Sequence, residues 1–261
     1  MEIKGWHLIL VSHLLMYCIS FTPDTLVSNS LLQWKFLFVI FYTIVFFFLI
    51  SCIYLTGTSR IDLRDDMFPM ESDESGWFCQ DCNHYCPLRA SHCKHCKRCV
   101  LRKDHHCSFM GICVGMENHL FFYLFLIFLL IFDTFNIIIF KNSLKDDQPF
   151  DEWIKYSLLP NFAFYGSIIS IIQPVMLVPV HTFLIITNAT TWEMLKGKSI
   201  TYLTNWKGRL SPFSRGIRHN IREFIFMRWE VPVYKVPFTP EEMEQYKSEN
   251  SCIYNDSCNC F

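Results

Sequence analysis

A hydrocarbon layer about 30 Å thick admits a polypeptide only as a helix of roughly 20 apolar residues, because each residue advances ~1.5 Å and no backbone N–H or C=O can stay unpaired in lipid. Four stretches of this 261-residue chain answer that description. Residues 6–21 (WHLILVSHLLMYCISF) are the shortest, interrupted by His7, Ser12 and His13. Residues 31–56 are stronger, with Lys35 near the start, where a long side chain can reach the headgroups. Residues 120–140 and 161–187 complete the set. The composition, 51% hydrophobic and 17% aromatic, is clumped into these runs rather than spread periodically.

A helix-mainly, polytopic membrane fold with four transmembrane helices is therefore expected. Its segments are residues 1–56 (helices one and two), 57–119 (a cysteine-rich segment), 120–187 (helices three and four) and 188–261 (a C-terminal region). Lys4 precedes the first apolar run as in a signal peptide, but residues 20–25 lack a small-x-small cleavage site, so the run is expected to be retained. Of the 23 Lys and Arg, eight fall in residues 57–118 and ten in residues 188–261, whereas the opposite loops hold only Lys141, Lys145 and Lys155. The positive-inside rule puts both termini and the cysteine-rich segment in the cytosol.

There, thiols are kept reduced, and 13 cysteines point to metal binding or catalysis rather than a disulfide framework. A formal net charge of −1, with no basic stripe interleaved with aromatics, argues against a nucleic-acid partner. Between Cys79 and Cys113 the chain reads CQDCNHYCPLRASHCKHCKRCVLRKDHHCSFMGIC, eight cysteines and five histidines in 35 residues. A CxxC turn aims two thiolates at one tetrahedral zinc ion. Cys79 with Cys82 and Cys93 with Cys96 form such pairs, and Cys96 with Cys99 overlaps as a third. Two closed sites need eight ligands, so thirteen candidates leave a surplus. Asp104, His105 and Cys107 offer an acceptor, a base and a nucleophile within four residues, a Cys-His-Asp relay in miniature. Spacing alone lets either His105 or His106 bind the metal, and lets Cys107 be one more thiol beside a zinc ribbon.

These residues resemble the DHHC protein S-acyltransferases, or palmitoyltransferases, through the CxxC, HCxxCxxC, DHHC and CVGxxN elements from Cys79 to Asn118. The resemblance implies two structural zinc ions, one on Cys79, Cys82, His92 and Cys99, the other on Cys93, Cys96, His106 and Cys113. It implies Cys107 as nucleophile, His105 as its base and Asp104 as the group orienting His105. NATTWE resembles the family's TTxE element through Thr190, Thr191 and Glu193, and SPFSRGIRHN its PaCCT element, with Asn220 matching the Asn. Three departures stand out: Ser108 and Phe109 replace Pro-Trp after Cys107, Ile112 precedes Cys113, and Cys86 stands where Lys or Arg is usual.

The implied reaction moves a palmitoyl group from acyl-CoA to cysteines of cytosolic or membrane-associated proteins by a two-step, ping-pong route, in the Golgi or endoplasmic reticulum. The alternative is a membrane-tethered zinc-finger scaffold or ligase adaptor in which Cys107 is inert. Asn136 and Gln173 are expected to pack between helices, Pro174 to kink helix four, and Asp133 and His181 to pair or to line the acyl cavity. Residues 215–228 alternate Ile217, Ile221, Phe224 and Ile225 with Arg215, Arg218, Arg222 and Arg228, suiting a helix on an anionic leaflet or one packed on the zinc module. Cys252, Cys258 and Cys260 in the tail are candidates for acylation in cis, Cys258 also for prenylation.

Overall fold

The computed structural model describes residues 4–21, 34–59, 77–142, 144, 149–203, 211–229 and 234, without the side chains of 34–36 and 201. Helices α1 (Gly5–Ser20) and α2 (Trp34–Thr58) are followed by six short strands, β1 (Trp77–Cys79), β2 (His84–Cys86), β3 (Ser91–Cys93), β4 (Arg98–Val100), β5 (His105–Cys107) and β6 (Ile112–Val114). Helices α3 (His119–Lys141), α4 (Phe150–Tyr156), α5 (Leu158–Thr187), α6 (Thr191–Lys196) and α7 (Ile217–Phe226) complete the order. Tail cysteines Cys252, Cys258 and Cys260 lie outside the described residues.

The chain forms two compact units, residues 1–58 with 121–179 and residues 59–120 with 180–261. Among the described residues, three helices are long and apolar enough to cross a membrane: residues 37–58 of α2, α3 and α5. The expected first span is a helix of 16 residues, shorter than the others. On α2, Tyr42, Val45, Leu49 and Ile53 recur at helical spacing and are buried, while Phe47 faces outward and Phe41 and Phe48 are half-exposed. The Phe-rich run is thus shared between packing and surface: Phe46 stacks on Tyr17 of α1, and Phe48 on Phe128 of α3. Asp133 and Asn136 of α3 are fully buried, and the Tyr42 hydroxyl donates to Asn136 Oδ1 at 2.7 Å. Helix α5 runs through both Pro174 and Pro179.

In the second unit the cysteine-rich segment is built from three antiparallel hairpins, β1–β2, β3–β4 and β5–β6. Each closes over a four-residue loop: Gln80–Asn83, Lys94–Lys97 and Ser108–Gly111. The last loop residue has positive φ every time, Asn83 at 54°, Lys97 at 54° and Gly111 at 70°. The hairpins therefore repeat with a 14-residue period that places Cys79, Cys93 and Cys107 in one position, Phe78, His92 and His106 in the preceding one, and Cys82, Cys96 and Met110 in a third. Strands of three residues have little core of their own. What they have instead is a repeated arrangement of sulfur and imidazole.

A close approach between α1 and α2 generates a test. A Cβ built on Gly57 would lie 2.6–2.8 Å from the Trp6 indole ring. Gly57→Val should lower stability by about 1–3 kcal/mol, read as a lower melting temperature of detergent-purified protein, with the outward-facing Ile44→Ala as a control that leaves it in place.

Candidate active site and metal centres

Among the described residues, two groups of four side chains come together so that each could hold a metal ion: Cys79, Cys82, His92 and Cys99, and Cys93, Cys96, His106 and Cys113. The hairpins explain the grouping. In each set a CxxC loop supplies two sulfurs, and the next hairpin supplies a directly opposed pair, His92 against Cys99 or His106 against Cys113. Successive strand residues point to opposite faces. Thus His92 turns to the first set while Cys93, its neighbour, turns to the second.

Distances fit zinc. Zn–S of ~2.3 Å and Zn–N of ~2.0 Å at tetrahedral angles put S and N roughly 3.5 Å apart. His92 Nδ1 lies 3.5, 3.3 and 3.9 Å from the sulfurs of Cys79, Cys82 and Cys99. His106 Nδ1 lies 3.7, 3.4 and 3.6 Å from those of Cys93, Cys96 and Cys113. Burial pushes the Cys99 and Cys113 thiols up, and neighbouring sulfurs push them further. Thiols crowded this way need a cation at their centre before they ionise together. Burial, with His95 and His105 nearby, holds His106 below its ordinary value, in the neutral form that ligates.

Alternation along β5 also divides the adjacent histidines. His106 faces the second metal set, so His105 and Cys107, two residues apart, share the other face. Asp104 is fully buried, and its Oδ2 lies 2.7 Å from His105 Nδ1. A carboxylate only accepts, so the ring proton sits on Nδ1 and leaves Nε2 for Cys107. Burial alone would push the Asp104 carboxyl up, but His119 and His105 hold it well below the usual carboxylate range. Burial opposes protonation of His105, while hydrogen bonds to Asp104 and Cys107 raise it to about 9.

The remaining lone pairs of Asp104 receive the start of α6. Thr191 N–H donates to Oδ1 at 2.8 Å, the Thr191 hydroxyl to Oδ2 at 2.9 Å, and Trp192 N–H to the Asp104 carbonyl at 3.0 Å. Helix α6 is set by a capping box: Thr190 accepts from Glu193 N–H, and the Glu193 carboxylate reaches back to Thr190 N–H. That same carboxylate takes both arms of a buried fork from Arg89, at 2.7 and 2.8 Å. Burial opposes the Arg89 charge and Glu193 restores it, holding the guanidinium above its ordinary value.

Asn188, in the left-handed region at φ 48°, ends α5 and accepts from Arg89 and Arg102 through Oδ1. Its amide donates to the Phe213 carbonyl and the Glu223 carboxylate. Asn220 of α7 donates to the Ile186 carbonyl at 2.6 Å. Each sequence-expected residue is thus placed: the two metal sets, the Asp104–His105–Cys107 array, Thr190, Thr191 and Glu193 around α6, and Asn220 under α5.

Sequence reasoning missed Arg89, Asn188 and His119. His119 Nε2 meets His181 Nδ1 at 3.0 Å, and His181 lies beside Asp104 and His105. Asn188, which opens NATTWE, was the available signal for the first pair; His119, next to Asn118, carried none.

Residues 72–198 match the family model described as DHHC palmitoyltransferase. Over 183 residues the chain is 33% identical to the putative ZDHHC-type palmitoyltransferase 7 of Dictyostelium discoideum, covering 69% of this chain and 41% of that one. It is 30% identical over 195 residues to protein S-acyltransferase 10 of Arabidopsis thaliana (75% and 56%) and 34% identical over 168 residues to palmitoyltransferase ZDHHC12 of Homo sapiens (64% and 61%). The chain spans about half the length of these relatives.

Arg89→Met would strand the Glu193 carboxylate, and breaking a buried pair from one side costs about 3–5 kcal/mol. The melting temperature should fall accordingly. Arg89→Lys should recover only part of the loss, since an ammonium cannot make the two-armed contact. A change within about 0.5 kcal/mol for Arg89→Met would show that the pair does not hold this region together.

Proposed function

We propose, from the premise that this chain belongs through residues 72–198 to the DHHC palmitoyltransferase family, that it is a membrane-embedded S-acyltransferase. It moves a long-chain acyl group, palmitoyl in the first instance, from acyl-CoA to cysteine thiols of cytosolic or membrane-associated proteins. The carrying observation is the array of buried Asp104, His105 hydrogen-bonded to it, and Cys107 on the same face of β5. The names of the relatives support the same activity.

In the first step the proton of Cys107 passes to His105 Nε2, and the sulfur attacks the thioester carbonyl. A new S–acyl bond forms, the acyl–CoA bond breaks, and the CoA thiolate takes the proton from His105. In the second step a substrate cysteine gives its proton to His105, attacks the acyl-enzyme and returns Cys107 to the thiol. Asp104 stays ionised throughout, holding the imidazole in place and stabilising its charged form. Thr191 fixes Asp104.

Zinc in the two Cys3His sets would supply closed, structural coordination. Cys79, Cys82, His92 and Cys99 would hold one ion and Cys93, Cys96, His106 and Cys113 the other, fixing the hairpins to one another and β5 with them. The acyl chain prefers hydrocarbon by about 0.8 kcal/mol per methylene, which suits an enzyme anchored in a bilayer with its cysteine-rich unit in the cytosol, in the Golgi or endoplasmic reticulum. Exposed Ile217, Ile221 and Ile225 beside Arg218 and Arg222 would set α7 on the anionic face of that membrane.

Purified protein incubated with labelled palmitoyl-CoA should carry a hydroxylamine-labile label on Cys107. Cys107→Ser should carry none and keep its zinc content; a labelled, substrate-acylating Cys107→Ser would overturn the assignment. Thr191→Val, which leaves the nucleophile and the metal sets intact, should slow labelling roughly 10- to 100-fold without loss of zinc. Unlabelled wild type with full zinc content would favour a scaffold instead.

A further inference from the structure

Three cysteines of the first hairpin do not behave as three ligands of one site. Cys79 and Cys82 join His92 and Cys99, whereas Cys86, 1% exposed, belongs to a separate group with His84 and Cys99 whose donor atoms all lie within 4.8 Å of one another. In the 14-residue repeat the positions equivalent to Cys86 are Val100 and Val114. Where the two later hairpins hold a buried valine, the first holds a buried thiol beside a sulfur-rich centre.

We propose that His84, Cys86 and Cys99 form a third, solvent-open site for a thiophilic divalent cation, zinc in the first instance, with the Cys99 thiolate bridging it to the ion in the first metal set. The inference rests on that set holding its own zinc.

Geometry supports it. Cys86 Sγ lies 3.7 Å from His84 Nδ1, inside the 3.3–3.9 Å range spanned by the six sulfur–imidazole distances of the two Cys3His sets. His84 Nδ1 also lies 3.1 Å from the Tyr85 carbonyl and would exchange that contact for the cation. His84 is half-buried, and a set of three donors leaves one position of a tetrahedron for a water ligand.

Charge supports it too. A zinc ion bound by three thiolates carries a net charge of −1. Adding Cys86 as a thiolate and a second Zn2+ brings the pair of ions and four sulfurs to zero, a gain for a cluster in which Cys79, Cys86 and Cys99 are all buried. Binding releases one proton, from Cys86, to solvent. Neither sulfur is oxidised.

The test is a metal count. Full-length protein in detergent, equilibrated with buffered Zn2+ and freed of excess, should hold three zinc ions per chain by elemental analysis. Cys86→Val, which installs the residue of the equivalent positions, and His84→Ala, which changes a partly exposed side chain, should each hold two. Both variants should keep the acyl label on Cys107, which separates this inference from the activity itself. Two ions in the wild type overturn the third site, and so do three in either folded variant.

Discussion

Alternation along a strand is the constraint on which the cysteine-rich unit depends. Neighbouring side chains in a strand point to opposite faces, and three-residue strands turn that rule into a sorting device. His92 and Cys93 go to different candidate metal sets, and His105 and His106 to different faces, His106 to the second set and His105 to Asp104. The first hairpin gives its CxxC sulfurs to the first set, the second gives its opposed His92–Cys99 pair to that set and its CxxC sulfurs to the next, and the third gives its opposed His106–Cys113 pair to the second set, so the hairpins are linked like a chain. In the third repeat the loop offers Cys107 and Met110 where the first two offer cysteine pairs, and α3 follows in place of a fourth hairpin. Cys107 is thus the lead sulfur of a knuckle without a second cysteine, and among the described residues it joins neither metal set.

Buried polar atoms then fix the array from the other side. Asp104 is fully buried, yet its side chain and carbonyl are engaged by His105, Thr191 and Trp192. A desolvated carboxylate is tolerable only with its lone pairs filled, and here the donors come from an imidazole on one side and a helix start on the other. Arg89, Glu193 and Asn188 extend the same logic, each occupying a donor or acceptor of the next. Removing any one member leaves a charged or polar group stranded, which is why such a network resists small movements.

Much of this was legible in the residues and some was not. Ligand identities could be carried over because CxxC spacing and the HCxxCxxC run are specific, and the structure brings those same side chains together. The choice between His105 and His106 could not be made from spacing, because it depends on strand phase, and three-residue strands have no periodicity of their own to read. The 14-residue repeat was present in the order of Cys79, Cys93 and Cys107, hidden by Met110, Tyr85 and Phe78 standing where other repeats carry ligands. Arg89 and Asn188 escaped notice because their contacts are about a hundred residues apart in sequence. Among the described residues, three apolar helices of membrane-crossing length were readable from composition, while α1, at 16 residues, has the length of the short run read in the sequence and is below that of a full crossing.

The division of labour between two adjacent histidines is the most exposed claim, and zinc content measured alongside acyl labelling tests it in one pair of variants. His105→Ala should keep the wild-type zinc content and lose the label on Cys107, whereas His106→Ala should lose zinc. Zinc lost from His105→Ala and retained by His106→Ala would contradict the account at its root.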